Sequence, residues 1–206
     1  MYRRRQKNWV WIAIAGYAVV VLCYLGIARL QYCGYPSAPW LGILLVVIPA
    51  LGAYRYEKDL ALIGFPAGGK HAEGVLAAAS VIGVVALSWL LRRGSLREMI
   101  LMVLYYLICV ALTEEVVYRG FLQSCLMGLF DMGVSENGCY AVGGLMFALA
   151  YIPFHIFNYG SVLLALPQLV FAFVFHFAMC RLADKCESIY LPVAIHFAID
   201  YLQRIL

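Results

Sequence analysis

Long apolar runs broken by short polar segments set the rhythm of the chain, falling at about 9–28, 37–54, 75–91, 99–124, 139–157, 162–180 and 189–205. Each is close to the ~20 residues that a helix needs to cross a hydrocarbon core about 30 Å thick. The pattern predicts an all-α fold, a polytopic membrane helix bundle of seven transmembrane helices, with eight allowed. The open division lies in Asn137 to Cys180, 44 residues without Asp, Glu, Lys or Arg. Asn158-Tyr159-Gly160-Ser161 is the turn predicted inside it. Connections elsewhere are short: Arg55 to Asp59 with Gly64 to Gly69, Arg92 to Ser95, and Arg181 to Ser188. The 206 residues therefore read as a single membrane domain, 1–206, with no loop long enough for a soluble one.

Composition agrees. Hydrophobic residues make up 65% of the chain, charged residues only 13%, and mean hydropathy is +0.88, whereas a soluble domain keeps about a quarter of its residues charged. The lipid bilayer is the expected solvent. A net charge of +4 without basic residues set among polar or aromatic groups gives no reason to expect nucleic-acid binding. Arg3, Arg4, Arg5 and Lys7 precede 21 uncharged residues, Asn8 to Ala28, too long for a signal peptide's apolar region and so read as a retained anchor. With the N-terminus in the cytoplasm, nine Lys and Arg fall on that side and five on the other. The expected location is the plasma (inner) membrane. Seven cysteines, an odd number without a C-x-x-C pair, read as small apolar residues.

Charges that break the loop rule carry the chemistry. Glu114, Glu115 and Arg119 lie in one apolar run, and His196 and Asp200 in another. A central membrane charge costs about 2.5–3.5 kcal/mol to insert, so partners are required. Glu115 and Arg119 stand at i and i+4 with the acid first, the better order for an intrahelical ion pair. Glu114 points about 100° away and is left without that partner, free to take and give a proton as general acid/base work requires. The plainer alternative is a buried electrostatic clamp between helices. His155 shares a face with Tyr151 and Phe147, with Pro153 loosening the backbone before it. His196 and Asp200 are again i and i+4. A lone membrane histidine reads as packing, and His176, between Phe175 and Phe177, is read so. Two histidines with Glu114 and Asp200 form a catalytic inventory. His71, beside Lys70, reads as a loop residue.

Glu114-Glu115-Val-Val-Tyr-Arg119-Gly-Phe-Leu resembles the E-E-x-x-x-R signature of the CPBP family, the CAAX proteases and bacteriocin-processing enzymes also called Abi. Tyr151-x-x-x-His155 and His196-x-x-x-Asp200 resemble its later F-x-x-x-H and H-x-x-x-(Asn or Asp) elements, with Tyr151 standing where the family has Phe. The resemblance covers about residues 99–206, a catalytic core preceded by the helices of 1–98, which carry no motif. It implies an intramembrane glutamic endopeptidase without a cofactor. Glu114 and His155 would activate a water, His196 and Asp200 would stabilise the oxyanion, and Glu115 with Arg119 would hold the helix. The implied substrate is a membrane-anchored protein or peptide cut near its C-terminus, either a CAAX-type end or a C-terminal sorting signal. The added Tyr151 hydroxyl must find a partner.

Two other functions fit the same residues: a transporter or proton relay using buried Glu, His and Asp, and a zinc protease with Glu114, His155 and His196 as ligands. No H-E-x-x-H is present. Geometry poses a further requirement. With a helix starting near Glu98, Glu114 lies about 24 Å from that membrane face, whereas His155 is close to the Asn158 turn on the same face. Straight helices would hold them apart, so either a re-entrant turn or strongly tilted, broken helices are expected. Reporter fusions at Ser135 and Gly160 should score on opposite sides of the membrane, and the same side for both would remove the fifth span.

Overall fold

The computed structural model describes residues 1–3, 5–47, 49, 63–65, 71–91, 95–161 and 163–205. These residues are helical throughout, with no strand among them. The helices are α1 (Asn8–Tyr32), α2 (His71–Leu91), α3 (Leu96–Met132), α4 (Glu136–Ala150), α5 (Ile152–Tyr159), α6 (Leu166–Cys186) and α7 (Tyr190–Ile205). A 3-10 segment, Ala38–Val46, follows α1. Five stretches among the described residues are long and apolar enough to cross a membrane: α1, α2, α3, α4 with α5, and α6. The expected run 189–205 is helical as α7, but its 16 residues span only about 24 Å. The expected run 37–54 opens in the 3-10 segment, and most of its remainder lies outside the described residues. So do Arg4 and the connections carrying Arg55, Lys58, Lys70, Arg92 and Arg93. His71 opens α2 rather than lying in a loop.

Local chemistry sets the helix ends. At α3 the Ser95 Oγ accepts from the Glu98 N–H at 3.2 Å and the Glu98 Oε2 accepts from the Ser95 N–H at 3.0 Å, a reciprocal cap that satisfies two orphan donors. Ser135 caps α4 through the Gly138 N–H. Gly133, at φ 83°, ends α3, and Gly160, at φ 63°, ends α5 in the turn expected there. The helix containing the paired glutamates runs on from Ser124 to Met132, eight residues past its expected end, because Cys125 to Met132 still offers apolar residues to bury.

That extension resolves the depth problem. Measured from the Gly133–Ser135 turn, Glu114 on α3 and His155 on α5 are each about 28 Å away along their helices at ~1.5 Å per residue. The α4–α5 axis breaks at Tyr151, two residues before Pro153, which sits in the first turn of α5 and lacks the N–H to continue α4. A broken helix is one of the two geometries expected, and it is present at Tyr151.

α3 is the central helix. Every residue from Thr113 to Gly128 is buried, as expected of a helix surrounded on all sides, and α1, α4, α6 and α7 pack around it or against one another. Close approach rather than apolar burial holds helices together in lipid. Gly120, the residue after Arg119, shows this: a Cβ there would overlap the Ile63 backbone carbonyl. The same strand of backbone is pinned from α7's start, where the Ile189 N–H donates to the Gly64 carbonyl at 3.1 Å. All seven cysteines are free, in keeping with their reading as small apolar residues. Gly120→Ala should lower the melting temperature in detergent by the equivalent of about 1–3 kcal/mol, the usual effect of overpacking. An unchanged melting temperature would show that the Ile63 backbone yields freely.

Candidate active site

The two glutamates of α3 lie where its winding changes. Wide π-helical turns occupy Tyr105–Leu112 and Glu115–Leu122, flanking Thr113 and Glu114, and such turns gather at functional sites. The Thr113 hydroxyl donates to the Ile108 carbonyl at 2.8 Å, serving an acceptor that the altered winding exposes. Glu114 and Glu115 consequently face different surroundings.

Glu115 is fully buried, and its Oε1 accepts from both the Arg119 Nη1 and the His196 Nδ1, the latter at 2.7 Å. The intrahelical pair expected from spacing is present, and it also reaches across to α7. Arg119, likewise fully buried, lies with its guanidinium 4.7 Å from the Phe147 ring centre and 5.0 Å from that of Phe175. The two rings give the cation aromatic faces in place of water.

Glu114 turns the other way, into a cavity of about 820 Å³ that His155, His196 and Asp200 also line. As expected it does not pair with Arg119, and its hydrogen-bond partners come from other helices. The Tyr24 hydroxyl donates to Oε1 at 2.9 Å, and the Tyr151 hydroxyl donates to Oε2. Tyr151 thus finds its partner in Glu114 itself. Tyr24, from α1, escaped the sequence reading, whose only signal for it was a hydroxyl in an apolar span without an evident mate. His196 Nε2 lies 3.3 Å from Asp200 Oδ2 and 3.6 Å from Glu114 Oε2. His155 is buried at the cavity wall on α5.

The seven residues singled out in the sequence therefore fall into two layers. Glu114, Tyr151, His155, His196 and Asp200 line the cavity, while Glu115 and Arg119 stand behind it. His196 connects the layers, one nitrogen toward Glu115 and the other toward Asp200. Among the described residues no three His, Cys, Asp or Glu side chains are grouped to hold a metal ion together. His176 is fully buried away from the cavity, which fits the packing role read for it, and its Nε2 also lies 3.3 Å from Gln123 Oε1 and 3.2 Å from Cys180 Sγ.

In chemical terms the cavity offers a carboxylate, an imidazole and a second, acid-flanked imidazole beside the carboxylate, around space large enough for a peptide segment and water. A water held between carboxylate and imidazole can attack a carbonyl, and an N–H across from it can receive the resulting oxyanion. Neither the curated proteins nor the solved structures contain a match to the chain. The family described as Type II CAAX prenyl endopeptidase Rce1-like matches residues 96–202. That stretch holds α3 through most of α7, and so every helix that brings a motif residue to the cavity. The chain accordingly belongs to the Rce1-like type II CAAX prenyl endopeptidases of the CPBP family, a membership that implies a peptidase set among membrane helices.

Proposed function

We propose that the protein is an intramembrane endopeptidase of glutamic type that cuts a membrane-anchored protein near its C-terminus, using a water activated by Glu114 and His155. The observation that carries this reading is the convergence of Glu114, His155, His196 and Asp200 on one cavity, with the Glu115–Arg119 pair kept behind it. In the reaction Glu114 takes the proton of water as the oxygen attacks the scissile carbonyl carbon, with His155 holding the water in line. The oxyanion so formed accepts from the His196 Nε2–H. Collapse breaks the C–N bond, and the proton held on Glu114 passes to the leaving amine. The family name favours a prenylated CAAX-type end over a sorting signal as the substrate.

The placement of His196 bears on the part played by Asp200. A carboxylate that is ionised has no hydrogen bond to give an oxyanion, so Asp200 acts either protonated, as a direct donor, or ionised, through His196. His196 faces carboxylate oxygens from both nitrogens, an arrangement satisfied when both nitrogens carry protons. The second role is thus the better supported: Asp200 and Glu115 hold His196 as an imidazolium whose Nε2–H serves the oxyanion. Those commitments also leave His196 poorly placed as a zinc ligand.

Glu114→Gln should abolish cleavage, by about 10²–10⁴-fold or more, while the protein stays folded, because shape and most hydrogen bonding are kept. Comparative proteomics of membrane-protein C-termini with the wild type and this variant should show uncut ends only in the variant. Ion uptake by protein-loaded liposomes without any cleaved peptide would favour a transporter instead. For Asp200→Asn the working form of His196 is the protonated one, and loss of a neighbouring negative charge lets it deprotonate at lower pH. The alkaline limb of the pH–rate profile should then move down in pH, with activity retained on the acid side. Asp200→Ala should lose roughly a hundredfold, as for loss of an oxyanion donor. An Asn variant active to higher pH than the wild type would make Asp200 the donor.

A further inference from the structure

We propose that Tyr24 and Tyr151 are positioning residues for Glu114, each holding a different oxygen of its carboxylate through a donated hydroxyl, so that α1 and the α4–α5 break together aim the base. The inference rests on the reading of Glu114 as the group that receives the proton of water. Neither hydroxyl belongs to the motif pattern: Tyr24 lies outside the matched stretch of 96–202, and Tyr151 stands where the family pattern has Phe.

The geometry makes the clamp two-sided. Tyr24 donates to Oε1 at 2.9 Å and Tyr151 to Oε2. The Tyr24 ring packs edge-on to Phe154 at 5.4 Å and lies 6.1 Å from the Tyr151 ring. α1 is thereby seated against the break that carries His155 one residue beyond Phe154. A glutamate has three rotatable bonds and swings unless held. Here one hydroxyl from each side fixes the plane of the carboxylate. An ionised carboxylate offers about four acceptor positions, so two remain for water and for His196 Nε2, 3.6 Å from Oε2.

Groups facing Glu114 come from every packed element: Tyr24 from α1, Tyr151 and His155 from the α4–α5 break, His196 and Asp200 from α7, and Tyr105 and Tyr118 from its own helix. Only Tyr24 and Tyr151 donate to it directly among the described hydrogen bonds. Donors to a carboxylate favour its charged form. Their removal should make Glu114 hold a proton to higher pH, whereas a purely packing role for the rings would leave its titration where it is.

The test uses the full chain in lipid nanodiscs as wild type, Tyr24→Phe, Tyr151→Phe and the double variant, each of which keeps its ring. The carboxyl C=O stretch of Glu114, identified by its loss in Glu114→Gln, is followed by infrared titration. In parallel, kcat/KM against pH is measured on an internally quenched farnesylated peptide. Each single variant should raise the infrared midpoint and the acid limb by about half to one pH unit, the double variant by more; one unit is a tenfold loss below the limb. Unmoved midpoints in the double variant would overturn the proposal while leaving Glu114 as base. Moved midpoints in a protein whose wild type cuts nothing would leave the clamp standing and remove the peptidase reading. Should Tyr24→Phe fail to fold, 3-fluorotyrosine at position 24, a more acidic donor of the same shape, should move the midpoint down, and no movement would overturn the proposal.

Discussion

The double acceptance at Glu115 Oε1, from Arg119 on the same helix and His196 on α7, is the interaction on which the rest of the site depends. A buried ion pair gains Coulomb energy only after a desolvation cost of several kcal/mol per ion, and lipid around the bundle offers no water to share it. Hydrogen bonds and ring contacts offset part of that cost, while Glu115 Oε2 and Arg119 Nε and Nη2 are buried without a hydrogen-bond partner among the described residues. Arg119 lies against Phe147 and Phe175, Glu115 serves two donors, and His196 meets the same two rings edge-on at 6.5 and 5.2 Å. Phe147 and Phe175 therefore contact Arg119 and His196 at once, and they tie α4 and α6 to the polar residues of α3 and α7.

Charge kept behind the cavity has a consequence for what lies inside it. Glu115 and Arg119 pair with each other behind the cavity through Oε1 and Nη1, and His196 is their extension into it. Glu114 sits beside this network without joining the Arg119 pair. Its partners are neutral hydroxyls, which hold the carboxylate in place without neutralising it. One carboxylate of the E-E pair is thus committed to an ion pair, and the other faces the cavity, where the proposed function gives it the proton transfer. The π-helical turns on either side of Thr113 and Glu114 are the local backbone change that accompanies this divergence of two adjacent side chains.

Much of this was legible from spacing. An acid and a base at i and i+4 in an apolar run must pair, and Glu115 with Arg119 do. His196 and Asp200 at the same spacing lie 3.3 Å apart. Tyr151 and Phe147, a turn apart, meet edge-on at 5.3 Å. The helical period suffices for these because both members ride one helix. It failed at Glu114, whose partners come from α1 and from the residue at which α4 breaks. It also misjudged the end of α3, since the apolar residues Cys125 to Phe130 follow a polar pair, Gln123 and Ser124, that looks like a boundary but is buried.

By itself the sequence determined the solvent, the helical class, the identity of the charged pairs and the family of the motif, because each follows from composition or from positions a few residues apart. Only the tertiary structure decided that Tyr24 and Tyr151 hold Glu114, that His196 bridges the two layers, and that Glu114 and His155 stand at the same depth. These are distances between residues 37 to 90 positions apart in sequence, set by where helices break and how closely Gly120 and its neighbours let them approach. No periodicity along one helix carries that information, since it depends on the rotation and offset of one helix against another.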